Sequence, residues 1–368
     1  MNIKSLLLGS AAAAVAVSAQ AADAIIIAEP EPMEYVRICD TYGTGFFYIP
    51  GTETCLKIGG YLRYQMEYNK NEGSDYTFGK FARFAPNFTA KNSTEWGTLT
   101  SYAEIEFNWG SNGAFTINGA QSTNLAHAYI SLDNGTSTFL VGKTDTPYHS
   151  RGLGGLHNGG IWGGVRGNNG NTNTGIVQYT FNAGNGFSAT VAAVEGITSQ
   201  FDPNFEAVLR YSQGWGVVAA SAGYDNARDE WGAKIAAEVV FNPVTVGLQF
   251  QYGSGAVNHY GANFAEGAFG AWGSSEYSVL GYVRGKLTDT LTARASVQWF
   301  EAHDGVIVAG AELDDAFAVI GGLEWTPVSG LAILPEVRYT KANATEIATG
   351  DSVSVDQWRA GLRFQRNF

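Results

Sequence analysis

Residues 56–68 read LKIGGYLRYQMEY, and their pattern decides the fold. Side chains at even positions, from Leu56 to Tyr68, are apolar or glycine, whereas the odd positions include Arg63 and Glu67. Successive side chains of a β-strand point to opposite faces of the sheet. The stretch therefore predicts a strand with one apolar face and one polar face.

The same alternation recurs almost to the end of the chain. The interruptions include tight turns such as Asn134-Gly135, a pair that suits a hairpin. Strands joined in this way predict an all-β, antiparallel fold. Sixteen strands are predicted, at residues 56–68, 78–88, 99–109, 125–132, 137–142, 175–181, 187–195, 205–212, 216–225, 231–241, 244–252, 276–287, 291–302, 315–326, 331–341 and 352–368.

The connections between these strands alternate in length. Short ones fall at 182–185, 213–215, 242–243, 288–290 and 327–330, and long ones at 143–174, 253–275, 303–314 and 342–351. Short connections on one rim and long ones on the other are typical of outer-membrane barrels, whereas soluble sandwiches and propellers seldom sort their turns. A closed barrel of about sixteen strands encloses an aqueous channel and leaves no sheet edge in hydrocarbon. We therefore predict a sixteen-stranded antiparallel transmembrane β-barrel.

Aromatic residues lie near the ends of the predicted strands, on their apolar faces. The set comprises Tyr68, Trp109, Tyr211, Trp231, Phe241, Tyr252, Trp299, Trp325, Tyr339 and Trp358. Such residues suit the aromatic girdles at the two lipid interfaces of a barrel. The alternative is that they are ordinary core aromatics.

The N-terminus has the form of a secretory signal. Lys4 supplies the positive region, residues 6–17 are an apolar run too short to span a membrane, and Ala19-Gln20-Ala21 fits the cleavage rule. We expect residues 1–21 to be removed, and the alternative is a retained helical anchor. An acidic arm with a cysteine loop follows at residues 22–55, and the barrel is predicted at residues 56–368.

The mature chain is acidic. Without Lys4 it carries 21 basic and 34 acidic residues, a formal charge of −13, which argues against a nucleic-acid partner. Cys39 and Cys55 lie in an exported chain, where a disulfide is expected to stabilise the fold by roughly 3 kcal/mol. Two free thiols are the alternative.

Residues 143–174 break the alternation. The stretch KTDTPYHSRGLGGLHNGGIWGGVRGNNGNTNT has nine glycines in 32 residues and neither a strand nor a helix period. Loops of this length are usually functional or disordered, and the regular strands on both sides argue against disorder. We predict that this loop partly closes the space inside the barrel. Its candidate constriction residues are Asp145, His149, Arg151, His157 and Arg166.

Charged residues on the polar parity are candidates for the wall of the channel. They are Lys57, Arg63, Arg83, Glu104, Glu106, Arg210, Arg294, Arg338, Arg359 and Arg363. Fixed charges at the narrowest point of a channel set its ion preference, because low-dielectric walls strengthen their field. We expect Glu104 and Glu106 to oppose the basic loop.

Both ends of the chain carry a family resemblance. YVRICD at 35–40, FFYIPGTETCLK at 46–57 and GYLRY at 60–64, together with RFQRNF at 363–368, resemble alphaproteobacterial outer-membrane porins. The resemblance implies a homotrimer of sixteen-stranded barrels in the outer membrane, passive diffusion of small hydrophilic solutes, and a third loop folded into the lumen. It also implies that Phe368 is part of the signal read by the barrel-assembly machinery.

One feature departs from the family pattern. General porins often set an acidic third loop against arginines of the wall, but this loop has Lys143, Arg151 and Arg166 against Asp145, a formal charge of 3 − 1 = +2. The transverse electric field that this arrangement produces in general porins is therefore not assigned to this chain.

Other functions remain as alternatives. A substrate-selective channel would show an aromatic ladder and saturable flux. An outer-membrane enzyme would need a nucleophile and a base in contact, and no such motif stands out. A surface adhesin or structural barrel would show no conductance. The glycine run at 152–170 has no phosphate-loop spacing, and His149 and His157 have no close acidic or thiol companion beyond Asp145, so no cofactor, metal or catalytic residue is predicted.

Overall fold

The computed structural model describes residues 37–111, 120–150, 160–161, 173–197, 200–262 and 275–368. Residues 38–368 form one unit, and of the preceding unit only Arg37 is described. The predicted signal peptide and the acidic arm up to residue 36 lie outside the described residues.

The described part of the chain is almost entirely β-sheet. One turn of 3₁₀ helix spans Asp40–Tyr42, and one short α-helix, α1, spans Pro147–Ser150. The strands are β1 Phe47–Tyr48, β2 Cys55–Asn71, β3 Thr77–Thr94, β4 Gly97–Ser111, β5 Ala120–Asp133, β6 Ser137–Thr144, β7 Thr174–Asn182, β8 Phe187–Val194, β9 Asn204–Gln213, β10 Gly216–Asp225, β11 Glu230–Phe241, β12 Val244–Gly253, β13 Tyr277–Lys286, β14 Leu291–Glu301, β15 Ile307–Val308, β16 Ala311–Val328, β17 Leu331–Glu346 and β18 Ser352–Asn367.

Sixteen long strands form a closed antiparallel ring. Each pairs with the next long strand along the chain, and β18 pairs with β2 in a register that sets Phe364 opposite Tyr64. The two-residue strands β1 and β15 add to β2 and β16 without entering the ring. The predicted sixteen-stranded barrel is confirmed, and with every long strand paired on both sides no edge is left open.

Several strands are longer than predicted. β3 and β16 each contain 18 residues, and β17 continues to Glu346, where the alternation in the sequence had suggested a loop from residue 342. Backbone pairing continues there because Ala344 still faces Val353 across the ladder. Such pairing needs only backbone groups, so it extends past the point where side chains alternate.

The two faces of the wall differ as the alternation predicted. On β7, Val177 and Tyr179 are 47% and 45% exposed on the outside, whereas Gln178 and Thr180 between them are 4% and 1% exposed. The outer face is therefore apolar and the inner face polar, which is the arrangement of a barrel in lipid. Most of the predicted girdle aromatics, including Trp231 and Trp358, lie on the exposed outer face and are not core residues.

The connections are sorted by rim. One rim, here called the short-turn rim, has connections of two to four residues at 95–96, 134–136, 183–186, 214–215, 242–243, 287–290 and 329–330. Phe368 ends the chain at this rim, and its ring stacks on the outward-facing Phe84 at 6.1 Å. The other rim, the long-loop rim, includes the two longest connections, loop 145–173 and loop 254–276.

The predicted disulfide is present. Cys39 and Cys55 are bonded with their Cα atoms 5.9 Å apart, and both are buried with Phe46. Within the described ranges, no helix is long and apolar enough to cross a membrane.

Candidate functional site

The inner wall carries the predicted charged residues. Arg63, Arg83, Glu104, Glu106, Arg210, Arg294, Arg338, Arg359 and Arg363 all occupy the inward parity of their strands. Lys57 is also inward, but it lies at the short-turn rim beside the Phe46 ring. Arg294 forms an ion pair with Glu324 of β16.

Most of these charges gather on one side of the ring, on β18, β2, β3 and β4, here called the charged wall. Arg63 lies opposite Arg83 across the β2–β3 ladder. Arg83 pairs with Glu106 and donates a 2.7 Å hydrogen bond to Asn108. Arg63 donates two hydrogen bonds to Gln365, at 3.0 and 2.8 Å.

Carboxylates and amides compensate the other arginines of the charged wall. Arg359 donates to Glu67 at 3.1 Å. Gln65 accepts a 2.6 Å bond from Arg363 and donates to the same Glu67. This pairing offsets part of the cost of burying the charged groups.

Arg363 also holds part of loop 145–173. Its guanidinium donates to the carbonyl oxygen of Gly160 at 2.9 Å and to that of Ile161 at 2.8 Å. Gly160 also packs closely against the wall, because a Cβ there would lie 2.4 Å from the carboxylate of Glu336. The loop backbone therefore contacts the charged wall directly.

The start of the same loop is fixed elsewhere on the ring. Tyr148 of α1 is fully buried, and its backbone N–H donates to Glu206 of β9 at 2.8 Å. The ammonium of Lys234, on β11, lies 4.3 Å from the centre of the Tyr148 ring. Glu206 and Lys234 are each 3% exposed, so the acidic and the basic side chain are buried together with this tyrosine.

Loop 254–276 meets loop 145–173 at this point. The Tyr148 hydroxyl donates to the Tyr260 carbonyl at 2.7 Å, and Gln251 of β12 donates to the same oxygen at 2.8 Å. Burial raises the pKa of the Tyr148 phenol above its ordinary value, so the phenol remains a donor. We call Tyr148, Glu206, Lys234, Gln251 and Tyr260 the tyrosine cluster.

Two glycines of the wall make room for Tyr260. A Cβ at Gly223 would lie 2.2 Å from the Tyr260 ring, and one at Gly232 would lie 2.5 Å from its carbonyl oxygen. Sequence reasoning missed the whole cluster. The available signal was a pair of isolated glycines inside predicted strands, which indicates close approach of another segment.

The structure describes only some of the predicted constriction residues of loop 145–173. Asp145 accepts a 3.1 Å bond from the backbone of Asn173, so it joins the two ends of the loop. His149 lies in α1. Arg151, His157 and Arg166 lie outside the described residues. Glu106 is paired with Arg83, and Glu104 accepts a 2.8 Å bond from Tyr102, while their predicted opposition to the basic loop stays a prediction.

The inner wall is thus polar and holds segments of two loops. Comparison with known proteins identifies the family of the chain. Residues 23–360 match a family model described as the Porin subfamily. The chain belongs to this porin subfamily. Porin Omp2a of Brucella canis is 37% identical over 399 residues, and the match covers 100% of both chains. Membership implies a location in the outer membrane and a channel rather than an enzyme.

Solved structures share the fold of this porin at low sequence identity. The outer membrane channel DcaP of Acinetobacter baumannii has a TM-score of 0.63 at 16% identity, covering 87% of this chain and 99% of that one. A trimer form of OmpT from Vibrio cholerae has a TM-score of 0.57 at 12% identity, covering 85% and 100%. The family resemblance predicted from the two ends of the chain is confirmed.

Proposed function

We propose that this porin forms a water-filled channel through the outer membrane, and that small hydrophilic solutes and ions pass through it by diffusion. In this proposal loop 145–173 crosses the lumen and narrows the channel. One observation supports the proposal that the loop narrows the channel. The loop is held at Glu206 of β9 and at Arg363 of β18. In the ring of sixteen long strands, β9 and β18 are eight strands apart in either direction. A loop fixed at opposite sides of a ring spans the space between them.

The crossing places fixed charge at the narrow point. Arg363 contacts the loop, and Arg63 and Arg83 lie on the next two strands of the ring, each with polar or acidic partners. Solutes would be selected by the width left beside the loop and by these charges. The channel would need no catalytic step, cofactor or metal. Among the described residues, no three His, Cys, Asp or Glu side chains are placed to hold a metal ion.

We extend the proposal to assembly and export. Residues 1–21 act as a cleaved signal peptide, and Phe368, outward at the short-turn rim, belongs to the signal for barrel assembly. The apolar outer face contacts lipid and two further copies of the chain in a homotrimer. The trimer form of OmpT, which shares this fold, supports that assembly.

The test is single-channel recording in a planar bilayer, with protein refolded in detergent and shown to be folded by its heat-modifiable gel mobility. We expect large, steady openings in groups of three that scale with salt concentration. A salt gradient gives the ion preference through the reversal potential. Heat-unfolded protein is the control, and a folded barrel without conductance would contradict the proposal.

A further inference from the structure

The disulfide-closed segment lies on the lumen side of the wall. Cys55 has the inward parity of β2 and faces Lys91 of β3 across the ladder. Its bond to Cys39 therefore draws residues 38–46 over the inner face at the short-turn rim. The segment rests there on the inward lysines, because the Phe46 ring has the ammonium groups of Lys57 and Lys91 at 5.9 and 5.8 Å.

Tyr42 of this segment contacts strand β3. Its hydroxyl forms a 2.9 Å hydrogen bond with Ser93 of β3, and the Lys91 ammonium lies 5.6 Å from the centre of its ring. The disulfide thus fixes an aromatic ring over the inner face of β3, close to the turn at 95–96.

The wall beside Tyr42 consists of three cross-strand rows on β3, β4 and β5. The register gives the rows Thr89–Tyr102–Tyr129, Lys91–Thr100–Ser131 and Ser93–Thr98–Asp133. Tyr102 and Tyr129 have their ring centres 5.3 Å apart, so they form one continuous aromatic surface. Most of the other members are hydroxyl side chains, and the one lysine balances the one aspartate.

Tyr42 and these rows line an open cavity of about 840 Å³ at the short-turn rim, here called the mouth cavity. Its size falls within the range of roughly 300–1,000 Å³ that is typical of small-molecule sites. Its lining combines aromatic faces, many hydroxyl groups and no net formal charge. The cavity would favour neither cations nor anions. A neutral solute rich in hydroxyl groups would contact both the aromatic faces and the hydroxyl groups of the lining.

We propose that the mouth cavity binds neutral sugars as they pass the short-turn end of the channel. The C–H faces of a sugar ring pack on the tyrosines, and its hydroxyl groups exchange hydrogen bonds with the threonine and serine hydroxyls, Lys91 and Asp133. The proposal rests on the open channel proposed above and adds a solute class and a binding step to it. The disulfide segment is then a specificity element, because it supplies Tyr42.

The experiment records current noise through single open channels while sucrose is added to one side of the bilayer. We expect reversible, saturable excess noise, with a higher association rate from the short-turn side. A polyethylene glycol of matched hydrodynamic size is the control solute, and it should lower the current only in proportion to its concentration. Sucrose that behaves like the polymer would overturn the proposal while leaving the channel itself intact.

Two variants localise the site. Tyr42→Ala should raise the half-saturating sucrose concentration about tenfold, which corresponds to about 1.4 kcal/mol. Tyr76→Ala is the matched control, because Tyr76 is exposed at the opposite rim, and it should bind sucrose as the wild type does. The double variant Cys39→Ser, Cys55→Ser should raise the half-saturating sucrose concentration as Tyr42→Ala does, because it releases the segment that carries Tyr42. Unchanged saturation in both Tyr42→Ala and the double variant would show that sucrose binds elsewhere, and would overturn the assignment.

Discussion

Replacing Arg363 by Gln should loosen loop 145–173, which we propose narrows this porin. The guanidinium donates one bond each to Gly160 and Ile161, and the glutamine side chain, which is two heavy atoms shorter, reaches neither carbonyl from the same backbone position. In a water-filled lumen each lost bond costs about 1 kcal/mol net, because water replaces the lost donor. The two bonds together favour the attached loop by about 2 kcal/mol, so the ratio of detached to attached loop should rise roughly thirtyfold.

The assay is single-channel recording of Arg363→Gln beside Arg63→Gln. The control removes the same charge from the same wall, but the hydrogen bonds of Arg63 go to Gln365 and not to the loop. We expect frequent transitions between conductance levels and closure at lower voltage for Arg363→Gln. We expect steady openings with a shifted reversal potential for Arg63→Gln. Equally steady currents from the two variants would refute the argument that Arg363 anchors the loop.

Three further predictions concern the tyrosine cluster. Tyr148→Phe keeps the ring over Lys234 but loses the bond that the hydroxyl donates to Tyr260 and the 3.4 Å bond that it accepts from Gln251, so it should cost about 1–2 kcal/mol. Tyr148→Ala should cost about 3–5 kcal/mol because it leaves a cavity; urea unfolding in detergent measures both, and equal costs would contradict the assignment. Glu206→Gln removes the carboxylate that interacts electrostatically with the buried Lys234 and should cost about 3–5 kcal/mol in the same assay, and adding Lys234→Met should recover part of that loss; a double variant less stable than Glu206→Gln would count against the interaction. Gly223→Ala should displace Tyr260 and make the channel current unsteady, while Gly281→Ala, where the nearest atom to a new Cβ is 4.0 Å away, should record as wild type; a steady Gly223→Ala channel would contradict the packing of loop 254–276.

The sequence was most informative where structure depends on neighbours along the chain. Alternation such as Leu62, Arg63 and Tyr64 needs only the geometry of a strand, so the strands and the face that each residue occupies were predictable. Strand ends were less so, because pairing at Ala344 and Val353 depends on a partner strand and not on the local pattern. The two cysteines predicted their own bond, since the exported chain holds no other thiol.

The candidate site also has a part that was predictable from the sequence and a part that was not. Its wall residues, including Arg63 and Arg363, could be assigned to the inner face by parity alone. The sequence could not show that Arg363 would hold the loop, or that Tyr148 would meet Tyr260, which lies 112 residues away. Nor did any pattern near Tyr42 indicate that it would cover a cavity in the wall.

The amino-acid sequence by itself thus determined a barrel of sixteen strands, its apolar outside and polar inside, and the rim on which each connection lies. Those properties follow from a period of two residues and from the lengths of the turns. Only the tertiary structure decided which inward side chains pair along the wall and which loops they hold. Closure of the ring sets those contacts, because it brings strands distant in the chain to fixed positions around one shared interior.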